Sequence, residues 1–119
     1  MQVYTSEKLR NIGILAHGGA GKTSLTEALL FNAGHTTRLG KVDEGSTVTD
    51  YLPEEIKKKV TVSTAFAPVE WKDYKLNILD TPGYADFIGE VKSALRAVDS
   101  VVLVVDGIAG VEVQTEAHW

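Results

Sequence analysis

The chain has 119 residues, of which 44% are hydrophobic and 24% charged, as expected for one globular domain or part of one. It contains no cysteine, which excludes disulfides, thiolate metal sites and cysteine nucleophiles. The formal net charge of −4 argues against a broad nucleic-acid-binding surface, so an RNA-containing partner would have to be met through local patches. No apolar run has the length of a signal peptide core or of a membrane span, and we expect a cytoplasmic protein with no membrane partner.

The first predicted strand, residues 11–16, leads into a glycine-rich loop, and a helix is predicted from Lys22 to about Gly34. This order of elements is typical of a P-loop, in which backbone N–H groups and the helix N-terminus bind phosphate. Lys22 is expected to reach the outer phosphates, and the Thr23 hydroxyl to ligate Mg²⁺. A plain glycine-rich turn before a helix is the alternative. The predicted nucleotide-binding residues here are Ala16, His17, Gly18, Gly19, Ala20, Gly21, Lys22, Thr23 and Ser24.

Residues 35–59 are predicted to be irregular, because Gly40, Gly45 and Pro53 interrupt a polar stretch. An irregular segment of this length in a compact domain is usually functional or mobile. Its basic end, residues 57–59, is interpreted as a solvated face.

The second half of the chain predicts an antiparallel hairpin of residues 60–71 and 74–79, joined at Lys72 and Asp73. Pro68 places the first of these strands at a sheet edge. A helix with an apolar stripe over residues 87–98 follows, then a strand at 101–105 that reads as buried on both faces, and the start of another helix after Val111. The sequence therefore predicts an α/β fold of the P-loop NTPase type. It has three α/β/α layers, and its mostly parallel sheet carries one antiparallel edge hairpin.

A second group of candidate residues follows the strand that ends near Asp80, where ligands bind in open α/β sheets. Asp80 is expected to hold Mg²⁺ through water, and Gly83 to let its backbone N–H approach a γ-phosphate. The residues predicted to contribute to nucleotide binding are Asp80, Thr81, Pro82, Gly83 and Tyr84.

Thr61 would complete the site by offering its hydroxyl to Mg²⁺ and its N–H to the γ-phosphate, although Thr47 and Thr64 are equally eligible on the residues alone. Tyr84 either orients the attacking water by hydrogen bonding or packs as an aromatic residue under the loop. The predicted metal ligands are Thr23, Thr61 and Asp80. The predicted catalytic residues are Lys22, Thr61, Gly83 and Tyr84.

The stretches Asn-Ile-Gly-Ile-Leu-Ala-His (11–17), Ala-Gly-Lys-Thr (20–23) and Asn-Ile-Leu-Asp-Thr-Pro-Gly (77–83) resemble the GTP-binding domain of translational GTPases, most closely elongation factor G. The likeness continues through residues 71–73, 109–112 and 114–116. It implies a GTPase that binds GTP or GDP with Mg²⁺ and acts on the ribosome. It also implies that Thr61 is the threonine that senses the triphosphate state.

Three departures from the pattern of that family are present. The family has Asp at Gly19, Arg-Gly at Lys58-Lys59, and a water-orienting His at Tyr84. They indicate a divergent, elongation factor G-like protein. A nucleotide-sensing module with slow or absent hydrolysis is the alternative that Tyr84 suggests, and an ATP-using P-loop protein is a third reading.

The Asn-Lys-x-Asp motif that reads guanine in this family does not occur in the 119 residues. Residues 1–119 are therefore expected to be the N-terminal, phosphate-binding part of a truncated GTP-binding domain. Self-association through the exposed sheet edge is a further expectation.

Overall fold

The computed structural model describes residues 2–119 and contains one mixed sheet. Its strands are β1 (Leu9–Leu15), β2 (Ala65–Trp71), β3 (Tyr74–Asp80) and β4 (Ser100–Leu103). They lie in the order β2-β3-β1-β4. Strand β1 pairs in parallel with β3 and β4, and β2 pairs with β3 in antiparallel fashion. The predicted parallel sheet with one antiparallel edge hairpin is confirmed.

Four α-helices accompany the sheet in residues 2–119: α1 (Lys22–Asn32), α2 (Pro53–Lys58), α3 (Ile88–Leu95) and α4 (Val113–His118). Short 3₁₀ turns cover Ser6–Lys8, Val42–Glu44 and Ala85–Phe87. Helix α1 ends as predicted, since Gly34 adopts a left-handed φ of 76° just after the C-cap Ala33. No helix among these residues is both long and apolar enough to traverse a bilayer.

The two long helices cover opposite faces of the sheet. On one face, α1 contributes Leu30 to a buried cluster whose other members come from the strands: Ile14, Ala67, Val69 and Ile78. On the other face, a Cβ built on Gly13 would lie 3.6 Å from the Val98 side chain, which follows α3. Neighbouring residues of a strand point to opposite faces of the sheet, so Ile14 faces the layer of α1 and Gly13 faces the layer of α3. The predicted three-layer arrangement follows.

Strand β2 forms one edge of the sheet, as Pro68 predicts. Lys72 and Asp73 make the two-residue turn with φ of 46° and 64°, the left-handed values of the hairpin turn that matches strand twist. Two residues after Pro68, the backbone N–H of Glu70 donates to Nε2 of His35 at 2.9 Å. At these two outward-facing positions the backbone donor is therefore either missing or already bound.

The strand predicted at residues 60–71 begins later, at Ala65, and Thr61 lies in the preceding loop. The apolar alternation of residues 60–64 predicts a strand that does not form, because side-chain oxygens accept the backbone N–H groups of residues 62–64. The carboxylate of Glu55 accepts the N–H groups of Val62 and Ser63, at 3.0 and 3.1 Å. These groups cannot then join a strand ladder.

The prediction that residues 35–59 are irregular is wrong at their end, where α2 forms. Pro53, interpreted as a break, is the first residue of α2, a position at which its missing N–H is not needed. The carboxylate of Glu55 accepts the N–H of Leu52 at 3.1 Å and so caps this short helix.

Two predictions about the later elements are also wrong. Val101 and Val102 of β4 are each 43% exposed, so this strand is not buried on both faces; β4 borders the sheet, and among residues 2–119 only β1 pairs with it. The helix predicted to reach residue 98 ends at Leu95. Val98 nevertheless packs toward Gly13 from the loop beyond the helix.

Candidate functional site

The loop of residues 16–21 joins β1 to α1 and curls around the start of the helix. Gly19 and Gly21 have φ of 84° and 96°, which residues with a Cβ rarely adopt. Lys22, the first residue of α1, is buried, and its ammonium donates to the carbonyl oxygen of His17 at 3.1 Å. The lysine that would meet the outer phosphates is thus held by the loop itself.

Burial lowers the pKa of the Lys22 ammonium, and the carboxylates of Asp80 and Asp50 oppose this effect by favouring the charged form. A buried cation that lines a cleft is suited to bind an incoming anion.

Next to Lys22, two threonines and two aspartates form a connected, buried group. The Thr23 hydroxyl donates to Oδ2 of Asp80 at 2.8 Å and lies 3.0 Å from the Thr61 hydroxyl. Thr61 in turn donates to Oδ1 of Asp50 at 2.8 Å. The members come from the start of α1, the end of β3 and the two sides of α2, so the fold brings together residues far apart in the sequence.

The structure separates the three threonines that the sequence leaves equally eligible. Only Thr61 lies in the group beside Thr23. The Thr64 hydroxyl donates to the backbone oxygen of Glu90 at 3.5 Å, and the Thr47 hydroxyl is buried without a hydrogen-bond partner. Of the three, Thr61 alone has the placement that the metal-binding interpretation requires.

Burial of the two aspartates in this group disfavours their ionised form. Burial raises the pKa of Asp80 to about 7, although the Thr23 hydrogen bond and Lys22 act against the shift. Burial likewise raises the pKa of Asp50, and the hydrogen bond from Thr61 opposes it. One oxygen of each, Oδ1 of Asp80 and Oδ2 of Asp50, is buried without a partner. A bound cation would offset this cost.

The chemistry of these donors fits Mg²⁺, which prefers hydroxyl and carboxylate oxygens and retains several waters. No group of three or more His, Asp or Glu side chains suited to a metal occurs in residues 2–119. A cation at this site would therefore draw its remaining ligands from water and from phosphate oxygens.

Gly83 and Tyr84 bring the loop after β3 against the phosphate loop. A Cβ on Gly83 would lie 2.7 Å from the backbone nitrogen of Gly18, so only glycine permits this approach. A Cβ on Gly18 would lie 2.6 Å from the ring of Tyr84, so the ring rests directly on the loop. Tyr84 is nevertheless 46% exposed and remains open to the cleft.

These elements enclose a cleft of about 270 Å³. Eight of its lining residues were predicted from the sequence: Gly18, Gly19, Gly21, Lys22, Thr23, Ser24, Gly83 and Tyr84. Thr61 was predicted as a metal ligand and also lines the cleft. The remaining lining residues were not predicted: Val42, Asp43, Asp50, Lys59 and Val60.

Six predicted nucleotide-binding residues do not line the cleft: Ala16, His17, Ala20, Asp80, Thr81 and Pro82. Two of them have clear supporting contacts. The Thr81 hydroxyl donates to the backbone oxygen of Ile14 at 2.7 Å, which fixes the loop after β3 to β1. The buried ring of His17 points toward α4, where Nδ1 lies 3.2 Å from the Thr115 hydroxyl.

Asp50 is the main member of this buried group that the sequence does not reveal. It lies in a polar segment that also contains Asp43 and Glu44, and nothing in their spacing distinguishes a carboxylate that meets Thr61. Its position within the segment before Thr61 is the one indication that the sequence offers.

Known proteins resemble this chain over nearly its whole length. Residues 7–119 match the family model described as the elongation factor Tu GTP binding domain. The chain is 52% identical to ribosome-releasing factor 2, mitochondrial, of Scheffersomyces stipitis over 95% of its own length and 13% of that protein. It is 54% identical to the Drosophila melanogaster protein of the same name over 96% of its length and 15% of that protein.

Among solved structures, a protein from Thermus thermophilus matches with a TM-score of 0.90 and 45% identity, over 92% of this chain and 17% of that one. A bacterial selenocysteine-specific elongation factor matches with a TM-score of 0.75 and 29% identity, over 93% and 17%. The chain thus spans about one seventh of the length of the relatives it matches. The predicted likeness to translational GTPases is confirmed, and this chain belongs to the elongation factor Tu GTP binding domain family.

Proposed function

We propose that this chain binds Mg²⁺ and the phosphates of GTP as part of the GTP-hydrolysing domain of an elongation factor G-like protein that acts on the ribosome. The observation that carries the proposal is the Thr23 hydroxyl in contact with both Asp80 and Thr61. Family membership and relatives named ribosome-releasing factor 2 support the nucleotide and the ribosomal partner.

Phosphate binding is assigned to the loop of residues 16–24. Its glycines aim backbone N–H groups at one anion, and α1 adds the positive end of its dipole. Lys22 places a positive charge at the inner wall of the cleft, already oriented by the His17 carbonyl. This orientation lowers the ordering cost of binding.

Mg²⁺ binding is assigned to Thr23, Thr61 and Asp80, with Asp50 as an additional carboxylate. The bound ion would neutralise charge on the phosphates during transfer to water. Thr61 and Gly83 belong to loops rather than to α1, so loss of the γ-phosphate would release them from the site. GTP and GDP forms of the domain would then differ in these two segments.

Catalysis is assigned to Lys22, Thr61, Gly83 and Tyr84, with Tyr84 orienting the attacking water by hydrogen bonding. One observation favours the second candidate function, a nucleotide sensor that hydrolyses GTP slowly. The ring of Tyr84 packs on Gly18, so its hydroxyl must leave or reach past this contact to meet a water.

Single-turnover GTP hydrolysis by the intact protein, with and without ribosomes, tests the proposal. We expect ribosome-stimulated hydrolysis that Lys22→Ala abolishes together with phosphate-dependent binding. Full activity of Lys22→Ala would contradict the P-loop assignment. A slow native rate that Tyr84→His raises at unchanged GTP affinity would favour the sensor, and a fast native rate unchanged in Tyr84→Phe would remove the water-orienting role.

Three further points are part of the proposal. Residues 1–119 would form the N-terminal, phosphate-binding part of the domain, and competition between GTP and ATP would test the ATP-using alternative. The cytoplasmic location stays a prediction, because the relatives are named mitochondrial. Self-association through the exposed edge of β4 also stays a prediction, and sedimentation velocity or concentration-dependent elution would decide it.

A further inference from the structure

The basic run at residues 57–59 does not form one uniform solvated face. All three lysines are exposed, but Lys57 and Lys58 belong to the last turn of α2, whereas Lys59 follows the helix. Only Lys59 lines the cleft that also contains Lys22. The third lysine of the run therefore has a setting different from that of the first two.

The backbone at Lys59 is one that favours glycine. Its φ of 56° and ψ of 39° lie in the left-handed region, where a Cβ crowds the following carbonyl. The N–H of Lys59 donates to the Glu55 oxygen as the C-cap of α2, which fixes this conformation. A glycine would satisfy the same geometry without strain, so the lysine side chain has no evident structural purpose here.

The segment around Lys59 is anchored on both sides. Before it, Glu55 is buried in α2, and its carboxylate accepts from the N–H groups of Val62 and Ser63 beyond Lys59. Two residues after Lys59, Thr61 contacts Thr23. Lys59 is thereby held close to the residues assigned to the metal, in the same cleft as Lys22.

The charges that line the cleft give this lysine a role. Without Lys59, the lining has one cation, Lys22, against the carboxylates of Asp43 and Asp50. A triphosphate adds further negative charge, and a lysine ammonium binds phosphate as a compact charge with three donors. We infer that Lys59 is a second phosphate-binding cation, which contacts the outer phosphates of a nucleoside triphosphate from the segment that also carries Thr61. This inference rests on the proposed function.

Equilibrium binding of fluorescent GTP and GDP analogues to the intact protein tests it. Lys59→Met keeps an unbranched side chain one heavy atom shorter than lysine and removes the charge, and we expect GTP affinity to fall about tenfold, as for the loss of one charged hydrogen bond. GDP affinity should fall by less than about twofold, because GDP lacks the outermost phosphate. Lys59→Arg should retain GTP affinity, and the matched control Lys58→Met should leave both affinities unchanged.

A second variant separates the ammonium from the backbone. Lys59→Gly relaxes the left-handed conformation, so a purely conformational role predicts unchanged or tighter GTP binding, whereas the phosphate-binding role predicts the same loss as Lys59→Met. If Lys59→Met binds GTP as tightly as Lys58→Met does, the inference is wrong. Lys22→Ala distinguishes failure of this inference from failure of the proposed function. If GTP binding is lost in Lys22→Ala but kept in Lys59→Met, only the role of Lys59 is refuted. If GTP binding is kept in Lys22→Ala, the P-loop assignment is refuted.

Discussion

Replacing Asp80 by asparagine should stabilise the protein when nucleotide and metal have been removed. Burial raises the pKa of Asp80 from 3.8 to about 7, a shift of about three units. At about 1.4 kcal/mol per unit, the ionised carboxylate costs the folded state roughly 4 kcal/mol. Asparagine removes this cost and still accepts the Thr23 hydrogen bond. The side-chain NH₂ group of asparagine would take the place of Oδ1, which is buried without a hydrogen-bond partner, and leaving that NH₂ group unpaired costs about 1–3 kcal/mol. The net gain is roughly 2 kcal/mol.

The sign of this effect depends on pH. The folded state keeps the Asp80 proton up to about pH 7, whereas the unfolded chain releases it near 3.8, so the native free energy of unfolding falls as pH rises between these values. Urea unfolding of the intact protein in a chelating buffer should therefore show Asp80→Asn to be more stable than the native protein at about pH 8. At about pH 4 the carboxylate is protonated, and the variant should be less stable by about 1–3 kcal/mol.

Asp43→Asn provides the matched control, because Asp43 lines the same cleft but is exposed. It should change the free energy of unfolding by less than about 0.5 kcal/mol at either pH. Equal destabilisation by Asp80→Asn at the acidic and the alkaline pH would refute the reasoning. Asp80→Asn should also lose the Mg²⁺ dependence of GTP binding, which titration calorimetry would detect.

Three other outcomes are expected. If the chain is the slow nucleotide sensor, Tyr84→His should increase single-turnover GTP hydrolysis by at least about tenfold, because imidazole is the better general base; an unchanged rate would speak against the sensor and mean that Tyr84 does not limit the chemistry. Lys59→Gly should raise the free energy of unfolding by roughly 0.5–1 kcal/mol by relieving the left-handed strain, whatever it does to GTP affinity. Glu27→Ala should lower it by about 2–4 kcal/mol, because the buried Oε1 accepts from Val48 and Thr49 at 2.7 and 3.2 Å. Amide exchange should accelerate at those two residues, and unchanged exchange would show that Glu27 does not anchor the segment.

The P-loop could be predicted because its features are local. The glycines, Lys22 and Thr23 are adjacent, and the strand and helix that flank them have clear apolar patterns. Asp80 and Gly83 could be placed at the same edge of the sheet because they lie at and just after the end of one strand. The order of elements then fixed the mostly parallel sheet without knowledge of any individual contact.

Features that depend on contacts between distant residues could not be predicted. Asp50 acquires its place only through Thr61, and Glu55 prevents residues 62 and 63 from joining a strand by accepting their N–H groups. The exposure of Val102 depends on what lies beside β4, which an apolar run does not specify. Pro53 shows the same limit locally, since proline both breaks and begins helices.

The outer edge of β2 has a consequence for how the sheet can grow. In a two-residue hairpin that pairs Trp71 with Tyr74, residues 68 and 70 direct their backbone nitrogens away from β3. Proline has no N–H at the first position, and His35 already accepts the N–H at the second. A strand from another molecule would find neither donor there, and it would have to displace an imidazole to gain one of them. Addition of a strand along β2 is thereby disfavoured at these two positions.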